Sequence, residues 1–129
     1  MKIEHVAIWA KDIEALKDFY IKYFNGVPGI GYLNEKRGFS SYFVSFEAGA
    51  RLEIMYMPSV SDPGEVQNLE FTGLTHLAFS VGSAENVCNL TERLRVDGFM
   101  VVDEPRITGD GYFESVVLDP ENNRIEITV

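Results

Sequence analysis

Two histidines are the only imidazoles in this 129-residue chain, and they occupy matching places in an internal repeat. His5 stands third in Ile3-Glu4-His5-Val6-Ala7-Ile8-Trp9, and His76 third in Leu74-Thr75-His76-Leu77-Ala78-Phe79-Ser80. Each half closes on the same kind of strand, Arg51-Leu52-Glu53-Ile54 and Arg124-Ile125-Glu126-Ile127, so two glutamates are matched as well. Imidazole nitrogen and carboxylate oxygen are ordinary ligands of divalent ions, and two of each converging on one point make a metal site. Taken singly, a strand histidine is more often a hydrogen-bonded core or surface residue. A strand glutamate near an arginine is more often half of a salt bridge. The matching of both pairs under one repeat turns His5, Glu53, His76 and Glu126 into a single candidate site.

The elements around these residues decide where they point. Strands are expected over 3–9 and 73–81, each followed by a helix. Asp12 and Ser83 are the expected N-caps, and Asn25-Gly26 and Gly98 the stops. The first helix should bury Ile13, Leu16, Tyr20, Tyr23 and Phe24, and the second Val87, Leu90 and Leu94. Cys88 flanks that second stripe. A weak strand near 30–35 and a hairpin of 40–47 with 50–57 complete the first half; 99–103, 111–118 and 124–129 complete the second. Each half thus reads βαβββ, an α+β fold of two modules, 1–57 and 72–129, joined by a linker at 58–71 within one domain. The Tyr42-Phe43 and Tyr112-Phe113 pairs look like further matching points. The small mismatch between the His–His and Glu–Glu separations suggests a longer final hairpin.

Alternation then sets the faces. Val6 and Ile8 should pack beneath the first helix, as should Leu77 and Phe79 beneath the second, which leaves both histidines opposite. Leu52 and Ile54 leave Glu53 on that same side, and Ile125 and Ile127 do so for Glu126. A carboxylate on an otherwise apolar strand needs a partner, because an unpaired buried charge is costly. Trp9, Arg51 and Met55 share the face and would line a substrate pocket; packing in the core or at a dimer interface is the alternative.

The composition, 46% hydrophobic with a formal net charge of −9, suits one well-packed domain and argues against nucleic acid or an anionic membrane as partner. The chain has no run of about 18 apolar residues to span a bilayer. With no apolar leader after Met1-Lys2 and a single cysteine, a cytoplasmic setting is expected. Gly26-Val27-Pro28-Gly29-Ile30-Gly31 does not open a helix after a strand, which counts against a phosphate cradle.

With these residues in place, the chain resembles the vicinal oxygen chelate superfamily of glyoxalase I, bleomycin-resistance proteins and ring-cleaving dioxygenases. The resemblance runs over essentially the whole chain. Its most specific part is Phe113 to Glu126, similar to the family's closing hairpin with its Asp-Pro-Glu-Asn turn at Asp119-Pro120-Glu121-Asn122. It implies curved mixed sheets around a metal-binding cleft. It also implies a lyase or isomerase of the lactoylglutathione lyase kind, with one ligand from each of His5, Glu53, His76 and Glu126.

The implied cofactor is one divalent ion per site: Ni, Zn, Co or Mn. The implied chemistry is proton transfer through a metal-bound enediolate of a small carbonyl or thiol-adduct substrate. Glu126 is the first choice as base and Glu53 the second. A homodimer is expected, with the four ligands drawn from one chain or shared between two. An Fe(II) extradiol dioxygenase and a non-enzymatic antibiotic-sequestering protein are the alternatives. One position departs from glyoxalase I: Trp9 stands where an arginine that helps hold glutathione is usual, so glutathione itself is not implied.

Overall fold

A computed structural model describes residues 1–61 and 72–129; most of the expected linker, 62–71, lies outside the described residues. The chain divides into two compact units, Met1–Val66 and Gln67–Val129. The first holds β1 (His5–Trp9), α1 (Ile13–Phe24), β2 (Val27–Pro28), β3 (Tyr32–Asn34), β4 (Phe39–Ser45) and β5 (Arg51–Tyr56). Its sheet runs β1-β5-β4-β2, with β3 also on β4. The second holds β6 (His76–Ser80), α2 (Ala84–Val96), β7 (Val101–Ile107), β8 (Phe113–Leu118) and β9 (Arg124–Thr128), in the order β6-β9-β8-β7. In both sheets the strand bearing the histidine pairs in parallel with the strand bearing the glutamate, and the other pairings are antiparallel. The fold is α+β with two open mixed sheets.

Both helices start where the caps were expected. The Asp12 carboxylate accepts from Ala15 N at 2.9 Å, and Ser83 Oγ from Asn86 N at 3.1 Å. At the end of α1 the left-handed residue is Asn25, with φ 54°, rather than the glycine beside it. Gly26 answers a different need. A Cβ there would lie 2.5 Å from Val44 Cγ1 and 3.0 Å from Tyr20 O, so the helix end can meet the sheet only without a side chain.

Helix α1 buries Leu16, Phe19, Tyr20, Tyr23 and Phe24, above Val44, Leu52 and Ile54 of the sheet. Phe19 joins the expected stripe, while Ile13 is only half-buried. Helix α2 buries Val87, Thr91 and Leu94, with Leu90 left half-buried. Thr91 is tolerated in the core because its hydroxyl donates to Val87 O at 2.6 Å and lies 2.6 Å from Ser115 Oγ.

Four expectations change. The weak strand near 30–35 is two short segments, β2 and β3, separated by 29–31, and Gly29 N still donates to Phe43 O at 2.7 Å across the break. Strand β7 extends to Ile107, well past 103. Pro105 fits within it because β7 is an edge strand whose pairing with β8 shifts register twice. The two closing hairpins have connections of equal length, 46–50 and 119–123, so the small mismatch in the repeat arises upstream of them. Lastly, Tyr42 and Phe43 stand opposite Ile54 and Glu53, whereas Ser115 and Val116 stand opposite Ile127 and Glu126. The structural counterparts of Tyr42-Phe43 are therefore Ser115-Val116, and Tyr112-Phe113 lies three residues out of register.

Candidate metal centre

The parallel register brings each histidine to its glutamate. His5 pairs with Arg51 and Ala7 with Glu53; His76 pairs with Arg124 and Ala78 with Glu126. Directly paired residues share a face of the sheet. In each unit the histidine and the glutamate are thus diagonal neighbours on the face away from the helix. The burial pattern agrees, since Leu52, Ile54, Ile125 and Ile127 are buried on the opposite face.

His5 Nε2 lies 3.7 Å from Glu53 Oε2, and His76 Nε2 lies 3.4 Å from Glu126 Oε2. The side chains of His5 and His76 are 40% and 42% exposed, and those of Glu53 and Glu126 are 17% and 18% exposed. The two half-sites are thus nearly equal in exposure. Two donors each about 2.1 Å from a shared ion lie roughly 3.0 Å apart at a right angle and about 3.4 Å apart at the tetrahedral angle. Each pair therefore has the separation of two ligands on one ion, within a few tenths of an ångström. Among the described residues no group of three or more His, Cys, Asp or Glu side chains could hold a metal. Each unit brings two of the four expected ligands together, His5 with Glu53 and His76 with Glu126.

Beyond the ligands the two faces differ. Trp9 and Met55 are cross-strand partners beside His5 and Glu53. Trp9 is 42% exposed and meets Phe39 edge-on, with ring centroids 6.3 Å apart. Phe43, opposite Glu53, meets the His5 ring edge-on at 5.4 Å. The corresponding places in the second unit are polar: Ser80 for Trp9, Thr128 for Met55 and Glu114 for Ser41. Glu114 is hydrogen-bonded to Glu126, and burial, then the Glu126 charge, push its carboxyl above the usual range. The Thr128 hydroxyl, opposite Glu114, is buried and has no hydrogen-bond partner among the described residues.

All four expected ligands lie on the expected faces, paired within their units. Of the expected substrate contacts, Trp9 and Met55 stand together, while Arg51 pairs with Glu4 and lies over the Phe43 ring at 4.1 Å. Sequence reasoning missed Glu4, Phe43 and Glu114. Two of the three were discoverable by contrast between the halves, since Thr75 stands where Glu4 does and Ser41 where Glu114 does. Glu114 was hidden by the misleading Tyr-Phe landmark, which set the halves out of register on β8. Phe43 sits on the ligand face by the same alternation that was applied to the other strands.

Strand β9 is launched toward the site by a buried turn. Asp119 is 3% exposed, and its Oδ1 accepts from both Glu121 N and Asn123 N at 2.9 Å. Asn122 takes up φ 66° within it. The Asp-Pro turn thereby fixes where Arg124, and so Glu126, enters the sheet.

A model of the Glyoxalase/Bleomycin resistance protein/Dioxygenase superfamily matches residues 2–127. In structure, the chain is similar to a glyoxalase family protein from Enterococcus faecalis, with TM-score 0.78 and 24% identity over 99% of this chain and 97% of that one. It is similar to the trypanothione-dependent glyoxalase I of Leishmania major, with TM-score 0.76 and 18% identity over 99% and 86% of the two chains. It also matches glyoxalase I of Zea mays, with TM-score 0.78 and 17% identity over 98% of this chain but only 44% of the maize chain, less than half its length. No curated protein is detectably similar in sequence. At these identities the structural likeness establishes the fold.

Proposed function

This chain belongs to the Glyoxalase/Bleomycin resistance protein/Dioxygenase superfamily, and on that premise we propose that it is a divalent-metal-dependent lyase or isomerase of glyoxalase I type. Its substrate is a small carbonyl compound or thiol adduct that presents two adjacent oxygens. The observation that carries this reading is the repeated His–Glu pair, with donor separations of 3.7 Å and 3.4 Å in the two units. In the proposed centre His5, Glu53, His76 and Glu126 share one ion, drawn from Ni, Zn, Co or Mn. Such an ion supplies positive charge beside the substrate oxygens, where negative charge develops as a neighbouring C–H proton leaves.

The remaining chemistry belongs to the chain. Glu126 is the proposed base, taking a proton from one carbon and returning it to the next. The polar surroundings of its half favour it over Glu53, since the Glu114 carboxyl lies against it. The Trp9–Met55 wall holds the apolar part of the substrate and keeps water from the reacting carbons. Arg51, with two-fifths of its side chain exposed, faces an anionic group of the substrate. The working unit is a homodimer in the cytoplasm. Among the described residues no helix is long and apolar enough to cross a membrane.

Elemental analysis and reconstitution of the purified protein test the reading. Stoichiometric Ni, Co, Zn or Mn, with solvent deuterium entering the product of a hemithioacetal substrate, is the expected result. Oxygen-sensitive Fe(II) with ring cleavage of a catechol would replace isomerisation by dioxygenation. Failure to bind any divalent ion would leave only sequestration of a small molecule.

A further inference from the structure

Glu4 immediately precedes His5, yet its carboxylate is turned onto that ring: Oε2 lies 2.5 Å from His5 Nδ1. The other oxygen, Oε1, accepts from Arg51 Nη2, and the Arg51 guanidinium lies over the Phe43 ring at 4.1 Å. Phe43 in turn meets the edge of the His5 ring. Three side chains thus close a loop on one imidazole, whose remaining nitrogen, Nε2, faces Glu53.

We propose that Glu4 is the positioning residue of the metal centre, fixing the tautomer and tilt of His5 so that the Nε2 lone pair is aimed at the ion. The inference rests on the proposed function, in which His5 is a ligand. An ionised carboxylate can only accept, so the bond to Glu4 requires the proton on Nδ1. That leaves Nε2 unprotonated, the form a metal needs. Imidazole left to itself favours the opposite tautomer, with its lone pair on Nδ1 and turned away from Glu53. The second hydrogen bond of a ligand histidine sets which nitrogen is free and raises its basicity. The Arg51 guanidinium is the charge partner of that carboxylate. Arg51 keeps Glu4 from rotating into solvent.

Among the described residues the second unit has no such device. Thr75 occupies the place of Glu4, and Val116 that of Phe43. The two half-sites are therefore unequal: His5–Glu53 is the pre-oriented anchor of the ion, and His76–Glu126 the adaptable half, as befits the half that carries the base.

The test uses the metal-free full-length protein and nitrogen-15 NMR of its two histidine rings, together with Zn2+ titration against a competing chelator. In the wild type His5 is expected as the Nδ1–H tautomer. Glu4→Ala should shift it toward Nε2–H, leave His76 unchanged and weaken Zn2+ binding about 10- to 100-fold, the usual cost of losing such a partner. Glu4→Gln, whose amide oxygen can still accept from Nδ1–H, should restore the tautomer and part of the affinity. Thr75→Ala should change Zn2+ affinity by less than about twofold, because no comparable hydrogen bond is lost. An unchanged His5 tautomer in Glu4→Ala overturns the inference, and so does unchanged Zn2+ affinity. A wild type that binds no Zn2+ overturns the metal-centre role together with the proposed function. The tautomer arm, needing no metal, separates the two failures: a shift in it would leave Glu4 orienting His5 for some other purpose.

Discussion

Removing the Asp119 carboxylate should unfasten the strand that carries Glu126. Three donors meet this side chain: Glu121 N and Asn123 N reach Oδ1 at 2.9 Å, and Asn123 Nδ2 reaches Oδ2 at 2.9 Å. Hydrogen bonds to a charged group contribute roughly 1.5–3 kcal/mol each, but bonds on one acceptor group are not additive. Glu121 and Asn123 are half-buried, so water can partly replace the lost acceptor. Asp119→Ala is therefore expected to cost about 3 kcal/mol, near the value of one or two such bonds. Asp119→Asn should cost only about 1 kcal/mol, because both backbone donors converge on a single oxygen that an amide also provides. Urea denaturation of the metal-free variants measures both, and Zn2+ titration should show weaker binding by Asp119→Ala because Glu126 follows the turn on β9. An Ala variant costing less than about 1 kcal/mol would refute the turn's role. An Asn variant as damaging as Ala would show that charge, not the geometry at Oδ1, holds it.

Three further outcomes are expected. Glu126→Gln should lose at least about 100-fold in isomerase activity, a typical general-base contribution, while weakening metal binding less than His76→Ala; undiminished activity would remove Glu126 as base and make Glu53 next to test. Mixing inactive His5→Ala and His76→Ala chains should restore part of the activity if ligands are shared between chains, because a heterodimer then regains one intact centre. No recovery, despite confirmed subunit exchange, would mean that each chain builds its own centre. Away from the site, the Lys17 ammonium and then the Tyr42 hydroxyl hold the Glu14 carboxyl below its ordinary value of 4.5. A depressed carboxyl contributes stability that is present above its unfolded pKa and lost as pH falls through the folded one. Glu14→Gln should thus be less stable than wild type at pH 7 and equal to it in strong acid, as followed by urea unfolding; a gap that persists in acid would disprove the linkage.

The facing of the four expected ligands was legible because period-two alternation with a fully apolar partner set leaves a strand only one orientation. Leu52 and Ile54 around Glu53, and Ile125 and Ile127 around Glu126, are buried as that logic requires. The split of β2 from β3 was less visible, since short pieces rich in glycine carry almost no pattern. Strand β7 runs on through Pro105, which its edge position permits. The Arg51 contact of Glu4 depends on register between strands distant in sequence, and that of Glu114 on the register of β8 with β9, which the Tyr-Phe landmark obscured. Arg51 reaches Glu4 only because β1 and β5 run parallel with His5 opposite Arg51. Nothing local to Ile3-Glu4-His5 announces that pairing.

The duplicated positions and the unmatched ones divide the work. The proposed four-ligand centre would take the same donor types from both halves, and His5/His76 and Glu53/Glu126 match in type and face and nearly match in exposure. A substrate with unlike ends needs the opposite, two walls of different chemistry. In the proposed site the unmatched positions would supply that difference: Trp9 in the place of Ser80, Met55 of Thr128, and Ser41 of Glu114. In the proposed reaction only one glutamate of the pair would take the reacting proton from a substrate bound in one orientation, and these neighbours would set that orientation. The apolar wall and the Glu4-held imidazole lie with Glu53, and the hydroxyls and second carboxylate with Glu126. Exchanging the walls, by Trp9→Ser with Met55→Thr and by Ser80→Trp with Thr128→Met, is therefore the change that would be expected to move the base from Glu126 to Glu53 while leaving the metal ligands untouched.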